Sequence, residues 1–139
     1  MAELVIRPFE AADREAVVAL WAIVFPDEPA WNESHGLIDR KLTVQPELFL
    51  LAELDGRIVG SIIAGFDGVR GWVHKVGAHP SYRRKGIAGQ LMSAVEEGLR
   101  AMGCNKLNLQ VREGNETAVR FYEDAGYQPE PRVSMSKHL

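Results

Sequence analysis

A single cysteine, Cys104, stands among 139 residues, so no internal disulfide can form and the fold must be held by its core. Lys and Arg number 16 against 19 Asp and Glu, a formal net charge of −3, with a sequence pI near 5.8. Neutralising nucleic-acid phosphates takes a surplus of cations gathered on one face, so a nucleic-acid partner is not expected, and a cationic substrate would be better received. No apolar run approaches the ~20 residues of a bilayer span, and the charged-then-apolar plan of a secretory signal is missing. The expectation is a soluble, cytoplasmic protein with no membrane partner. Two phosphate-binding patterns are absent as well: no GxxxxGK(S/T) occurs, and no GxGxxG follows a strand. Cys104 follows Gly103 at an expected helix end, with no base identifiable nearby, and is read as a small buried residue and not a nucleophile.

What is present suffices for one core. Hydrophobic residues make up 46% of the chain, and no repeat, low-complexity tract or linker divides it, so residues 1–139 are read as a single domain. Leu4-Val5-Ile6 reads as a first strand, and Val17, Leu20, Trp21 and Val24 recur at helical spacing after an Asp13 cap and before Pro26. Asn32 could cap a second short helix carrying Leu37, Ile38 and Leu42. From Leu48 the period changes: Leu48 to Leu54 and Arg57 to Phe66 are extended runs joined by Asp55-Gly56, a dipeptide suited to a hairpin whose central residues both need positive φ. A turn at Asp67 to Gly71 returns the chain into a strand from Trp72, stopped by Pro80. Ile87, Leu91, Val95, Leu99 and Met102 mark one face of a long helix closed by Gly103. Leu107, Leu109 and Val111 alternate as a strand, so the strand-helix-strand unit implies a parallel neighbour. A shorter helix spans about Glu116 to Asp124, and Tyr127 to Ser136 could supply an edge hairpin. The class is α/β with a mixed sheet.

The segment Pro80-Ser81-Tyr82-Arg83-Arg84-Lys85-Gly86-Ile87-Ala88-Gly89 lies between a strand and the start of the long helix. Free backbone N–H groups and the positive end of the helix dipole point outward there, which suits an anion. Gly86 and Gly89 admit a phosphate close to the backbone, Ala88 keeps the first turn slim, and Arg83, Arg84 and Lys85 add charge at the rim. Three cations at a helix N-terminus oppose its dipole unless an anion is bound, which favours a diphosphate site over a merely solvated run.

At this point the sequence resembles a known family. Arg83-x-x-Gly86-x-Ala88 matches the Q/R-x-x-G-x-G/A signature of the GNAT (GCN5-related) N-acetyltransferases, and Asn115 to Tyr127 resembles their N-x-x-A-x-x-F/L-Y-x-x-x-G-F/Y segment. Both occur in the family's order, and the likeness is greatest to the small bacterial YpeA-type acetyltransferases. The resemblance implies the GNAT fold: a mixed, mostly antiparallel sheet of six to seven strands, splayed between strands 4 and 5 and flanked by about four helices. It implies acetyl-CoA as cosubstrate, no metal, and a pyrophosphate held at Arg83, Arg84, Lys85, Gly86, Ile87, Ala88 and Gly89. The pantetheine arm would pair with Val76 and Ala78, and an N–H of Val76 or Gly77 would support the oxyanion. Asn115 would bond the pantetheine or shape its loop, and Tyr122 would protonate the leaving thiolate, its alternative being simple packing beside Phe121.

The base is less well marked. Ribosomal-protein N-terminal acetyltransferases carry a similar L-E-V-R strand with glutamate proposed as base, whereas this chain reads Leu109-Gln110-Val111-Arg112. Gln110 cannot accept a proton usefully, which leaves His74, Glu113 or a water relay. The acids around Trp31, Asp27, Glu28 and Glu33, either receive a cationic amine or belong to a capped, solvated loop. The expected reaction is acetyl transfer to a primary amine of a small molecule by direct attack in a ternary complex, with a homodimer left open. Competing readings are acetylation of a protein lysine or N-terminus, and a non-catalytic acyl-CoA sensor.

Overall fold

A computed structural model describes residues 3–139. The described chain divides into two compact units, one ending at Leu109 and one running from Gln110 to Leu139. The first holds strands β1 (Leu4–Pro8), β2 (Phe49–Leu54), β3 (Arg57–Phe66), β4 (Gly71–Ala78) and β5 (Leu107–Asn108), with helices α1 (Arg14–Val24), α2 (Ser34–Lys41) and α3 (Ile87–Ala101). Helix α4 (Glu116–Asp124) belongs to the second.

The strands form one sheet in the order β1-β2-β3-β4-β5, antiparallel except for the parallel β4–β5 pair. The β2–β3 turn carries Asp55 at φ 53° and Gly56 at φ 74°, the paired positive angles that a tight hairpin of right-handed strands requires. One apolar cluster joins Val17, Leu20 and Trp21 of α1 and Ile38 of α2 to Phe49, Leu51 and Ile63. Burying side chains of this size contributes about 1.5–3 kcal/mol each. Helix α3 buries Ile87, Leu91, Met92, Val95 and Leu99 and lies against β3 and β4. Met102, expected on that stripe, is 37% exposed because the helix has already ended at Ala101. Cys104 is buried, and its thiol donates to the Lys106 carbonyl at 3.3 Å.

Several expectations are corrected. Among the described residues the sheet has five strands, not six to seven. β5 stops at Asn108 instead of continuing to Val111, and no ladder forms within Tyr127 to Ser136. Pro129 and Pro131 remove backbone donors there, and Val133 and Met135 are 87% and 88% exposed, so that stretch has no buried face to fix a register. Helix α2 is capped by Glu33, whose carboxylate accepts from the N–H groups of His35 and Gly36, while Asn32 turns its amide to Glu28. Burial pushes the Lys41 ammonium below its ordinary pKa, and it donates to Val44 and Ala64 carbonyls at 2.7 and 2.5 Å, tying the end of α2 to β3.

Asp13 does not cap α1 with its side chain. It accepts the Glu10 N–H and two hydrogen bonds from Arg7, which also reaches Glu53 at 2.9 Å. The Arg7 hydrogen bond is the main reason its carboxyl sits below the ordinary carboxylate range. A depressed folded-state value contributes stability that is fully present above the unfolded value near 3.9 and is lost as pH falls through the folded one. Asp13→Asn is therefore expected to cost about 1–3 kcal/mol at neutral pH and to flatten the acid limb below about pH 4. Urea melts across that range check this; an unchanged acid limb would show that the pair carries no linked stability.

Candidate active site

β4 meets β5 only at Gly71↔Leu107 and Trp72↔Asn108. Beyond Trp72 no strand among the described residues continues the ladder on that edge. On its other edge β4 stays paired to β3 through Ala78, and the His79 N–H reaches the Val59 carbonyl at 2.7 Å. Antiparallel alternation then turns the N–H of Gly77 toward β3 and leaves Val76 and Ala78 facing the unladdered edge. Gly77 has a packing role: a Cβ there would lie 2.7 Å from Val24 and 3.1 Å from the Phe25 ring, at the end of α1.

The β3–β4 register shifts by one residue between Ser61↔Gly77 and Ile63↔His74, so Ile62 faces both Lys75 and Val76. This is a β-bulge, and Lys75 occupies its left-handed position at φ 55°, where glycine is the usual residue. Holding a side chain there costs about 1–2 kcal/mol. Two buried hydrogen bonds offset it: Trp21 Nε1 donates to Ser61 Oγ, and Ser61 Oγ donates to the Lys75 carbonyl, each at 2.8 Å. The Lys75 ammonium is itself buried and meets Glu28 at 2.9 Å.

The loop after β4 begins with a 3-10 turn at Pro80–Tyr82, whose first N–H groups are organised by His79 Nδ1 accepting from the Ser81 N–H at 3.1 Å. Arg84 at φ 66° and Gly86 at φ 72° are both left-handed, and Gly86 stands immediately before α3. A left-handed residue directly before the right-handed first turn of a helix aims successive N–H groups into one concavity. The N–H groups of Ile87, Ala88 and Gly89 open the helix and have no intrahelical acceptor, the ladder starting with Gln90 on Gly86 at 3.0 Å. Arg83, Arg84 and Lys85 are exposed, while the Ile87 side chain is core and offers a ligand only its backbone. A Cβ built on Gly86 or Gly89 meets nothing within 4 Å, so the space in front of both is open to a phosphate. These features fit a diphosphate ligand.

His74 pairs with Ile63 on β3, is partly solvent-exposed, and is held below the ordinary imidazole pKa by burial of the remainder, then by Lys41 and Lys75. The expected acidic acceptor face is largely committed elsewhere. Glu28 accepts from Asn32 at 2.9 Å in addition to its ion pair with Lys75, and Glu33 caps α2. Of the two readings for this segment, the capped loop is the better described. Asp67 likewise accepts the N–H groups of Val69 and Arg70 at 2.7 and 2.8 Å, holding its turn through backbone and not through the Arg70 side chain.

In the second unit, Asn115 caps α4 by accepting the Ala118 N–H at 3.2 Å. Tyr122 is half-buried, edge-on to Phe121 and Tyr127 at 5.0 and 5.8 Å, and burial raises its phenol pKa, so it keeps its proton at neutral pH. Gln110 donates to the Ser134 hydroxyl, and Glu113 is exposed beside Gly114. Sequence reading missed Ser61 and Lys75. Neither residue type signals a bulge, and a lysine inside a strand normally marks a solvent-facing position.

Comparison with known proteins agrees with this geometry. The model of the acetyltransferase (GNAT) family matches residues 9–127. A Yersinia pestis protein named as an uncharacterized N-acetyltransferase is 43% identical over 134 residues, covering 96% of this chain and 94% of the relative. A Pectobacterium atrosepticum protein named acetyltransferase is 42% identical over the same shares. Among solved structures, Ard1 from Thermoplasma volcanium superposes with a TM-score of 0.78 at 25% identity, covering 88% of this chain and 81% of that one. An aminoglycoside N-acetyltransferase in complex with CoA superposes with a TM-score of 0.80 at 21% identity, covering 99% and 96%. With its motif loop, its interrupted β4 edge and these relatives in agreement, the chain belongs to the GNAT acetyltransferase family.

Proposed function

We propose that the protein moves an acetyl group from acetyl-CoA to a primary amine of a small molecule, by direct attack in a ternary complex. The family membership makes it an acetyl-CoA-dependent N-acetyltransferase; the acceptor class and the ternary mechanism are the proposal. The observation that carries it is the concavity before α3, where a left-handed Arg84–Gly86 turn and open space at Gly86 and Gly89 suit a pyrophosphate. When bound, acetyl-CoA supplies the thioester and its acetyl group. Val76 and Ala78 hold the pantetheine amides at the β4 edge, and the Val76 N–H supports the developing oxyanion. His74 takes the proton of the amine, which at a reference pKa of about 10.4 cannot attack while charged. Tyr122 gives its proton to the leaving sulfur. The absence of a carboxylate at Gln110 speaks against an N-terminal-amine acceptor, and aminoglycoside acetyltransferases with this fold act on small-molecule amines.

Three measurements test the reading, with free-thiol release over a panel of amines to establish the acceptor. Gly89→Leu fills the phosphate space from inside a helix, where leucine is preferred by up to about 1 kcal/mol. Its CoA affinity should fall more than about 10-fold while its Tm holds or rises; unchanged affinity by calorimetry rejects the loop. Because burial and two lysines keep the His74 pKa below the usual 6.5, the base is already neutral at physiological pH. kcat/KM should therefore be flat near neutrality and fall as pH drops below about 6.5, and His74→Gln should abolish that limb. A profile identical in both proteins removes His74 as base. Tyr122→Phe should lower kcat by roughly 10²–10⁴-fold at unchanged CoA affinity; retention of more than about half the activity would leave Tyr122 as packing.

A further inference from the structure

If the bulge in β4 needed only its backbone shape, glycine at position 75 would supply it without strain. The chain instead places there a lysine whose side chain is 4% exposed. Its ammonium lies 2.9 Å from Glu28 and 4.6 and 5.3 Å from the centres of the Phe25 and Trp21 rings, so the charge is met by a carboxylate and two π-faces as it leaves water. Glu28 is held at its other oxygen by Asn32 at 2.9 Å. One buried contact thus fastens the segment between α1 and α2 to the extra residue of β4.

The same residue is fixed at its carbonyl. Lys75 O accepts from Ser61 Oγ at 2.8 Å, and Ser61 accepts from Trp21. The peptide joining Lys75 to Val76 is trans, and in a trans peptide the N–H points opposite to the C=O. A carbonyl locked toward Ser61 therefore sends the Val76 N–H toward the unladdered edge.

We propose that Lys75 is a positioning residue for acetyl transfer: the Lys75–Glu28 pair and the Ser61 hydrogen bond together lock the 75–76 peptide, aiming the Val76 N–H at the thioester carbonyl and tying the 27–33 segment to that peptide. The inference rests on the reading that transfer takes place at the β4 edge. It gives Glu28 a role distinct from attracting a cationic acceptor, because its charge is already matched by Lys75.

The test compares wild type with Lys75→Met, Glu28→Gln and the double variant, using acetyl-CoA and the best amine of the panel. Each single variant should lose about 10-fold or more in kcat, as expected for a misaimed oxyanion donor, with CoA affinity within about 2-fold, since the pyrophosphate loop is untouched. The double variant should lose no more than the worse single one, the mark of a coupled pair. The Val76 amide resonance in a ¹H–¹⁵N spectrum should move in all three. If kcat of Lys75→Met and of the double variant stays within about 2-fold, whatever the change in Tm or in the Val76 resonance, the pair is merely structural and the proposal is overturned. Glu28→Gln leaves a buried ammonium unmatched; should it not fold, Lys75→Met and the double variant, which leave no unmatched ammonium, still decide. Should the wild type acetylate no amine, the proposed function fails on its own, and the Val76 resonance alone decides whether the pair sets the peptide.

Discussion

An extra residue in a strand cannot be absorbed by the ladder, and the structure of the first unit is arranged around that fact. At Lys75–Val76 the register of β4 slips against β3, and the slip is held by Trp21, Ser61 and the Lys75 carbonyl in two successive buried hydrogen bonds. Trp21 is also central to the apolar cluster that seats α1 on the sheet. The helix docking and the strand irregularity are thus one constraint: the indole N–H would be an unsatisfied buried donor without Ser61, and the Ser61 hydroxyl would lack an acceptor without the bulge. Gly77 allows Val24 and Phe25 close enough for this to work.

Electrostatics in the same region follow from desolvation more than from net charge. The chain carries an acidic surplus, yet two lysines of this region are buried, one hydrogen-bonded to carbonyls and one ion-paired with Glu28. Both lysines, after desolvation itself, favour the neutral form of His74. A formal charge of −3 says nothing about these buried cations, because burial selects which charges are felt at short range.

Much of the architecture was legible because it depends on period and punctuation. The Asp55-Gly56 hairpin, the α3 stripe from Ile87 to Leu99 and its closure at Gly103 all follow from local rules, and the structure reproduces them. The loop at Arg83–Gly89 stands out in the sequence as composition at a strand-helix junction, and its left-handed turn at Arg84 and Gly86 is a backbone feature that composition alone does not specify. Illegible were features set by pairing across long sequence distance. Nothing local announces that β4 holds one residue more than β3 can match, or that Glu28 belongs to Lys75. The same limit explains the missing edge hairpin: Val133 and Met135 alternate as a strand would, but alternation needs a face to bury, and two prolines nearby withdraw the donors that would bind a neighbour.

The position of Cys104 has a practical consequence. It is the sole thiol, it is 7% exposed, and it donates to a carbonyl two residues on, just beyond α3. Disulfide exchange proceeds through an accessible thiolate, so a folded molecule presents almost nothing for a sulfhydryl reagent to modify. Colour developed by such a reagent in a transferase reaction then reports released CoA and not the enzyme. The converse also holds. Slow labelling of Cys104 in the absence of substrate measures how often the end of α3 breathes open, giving this protein a built-in reporter of local unfolding at a single position.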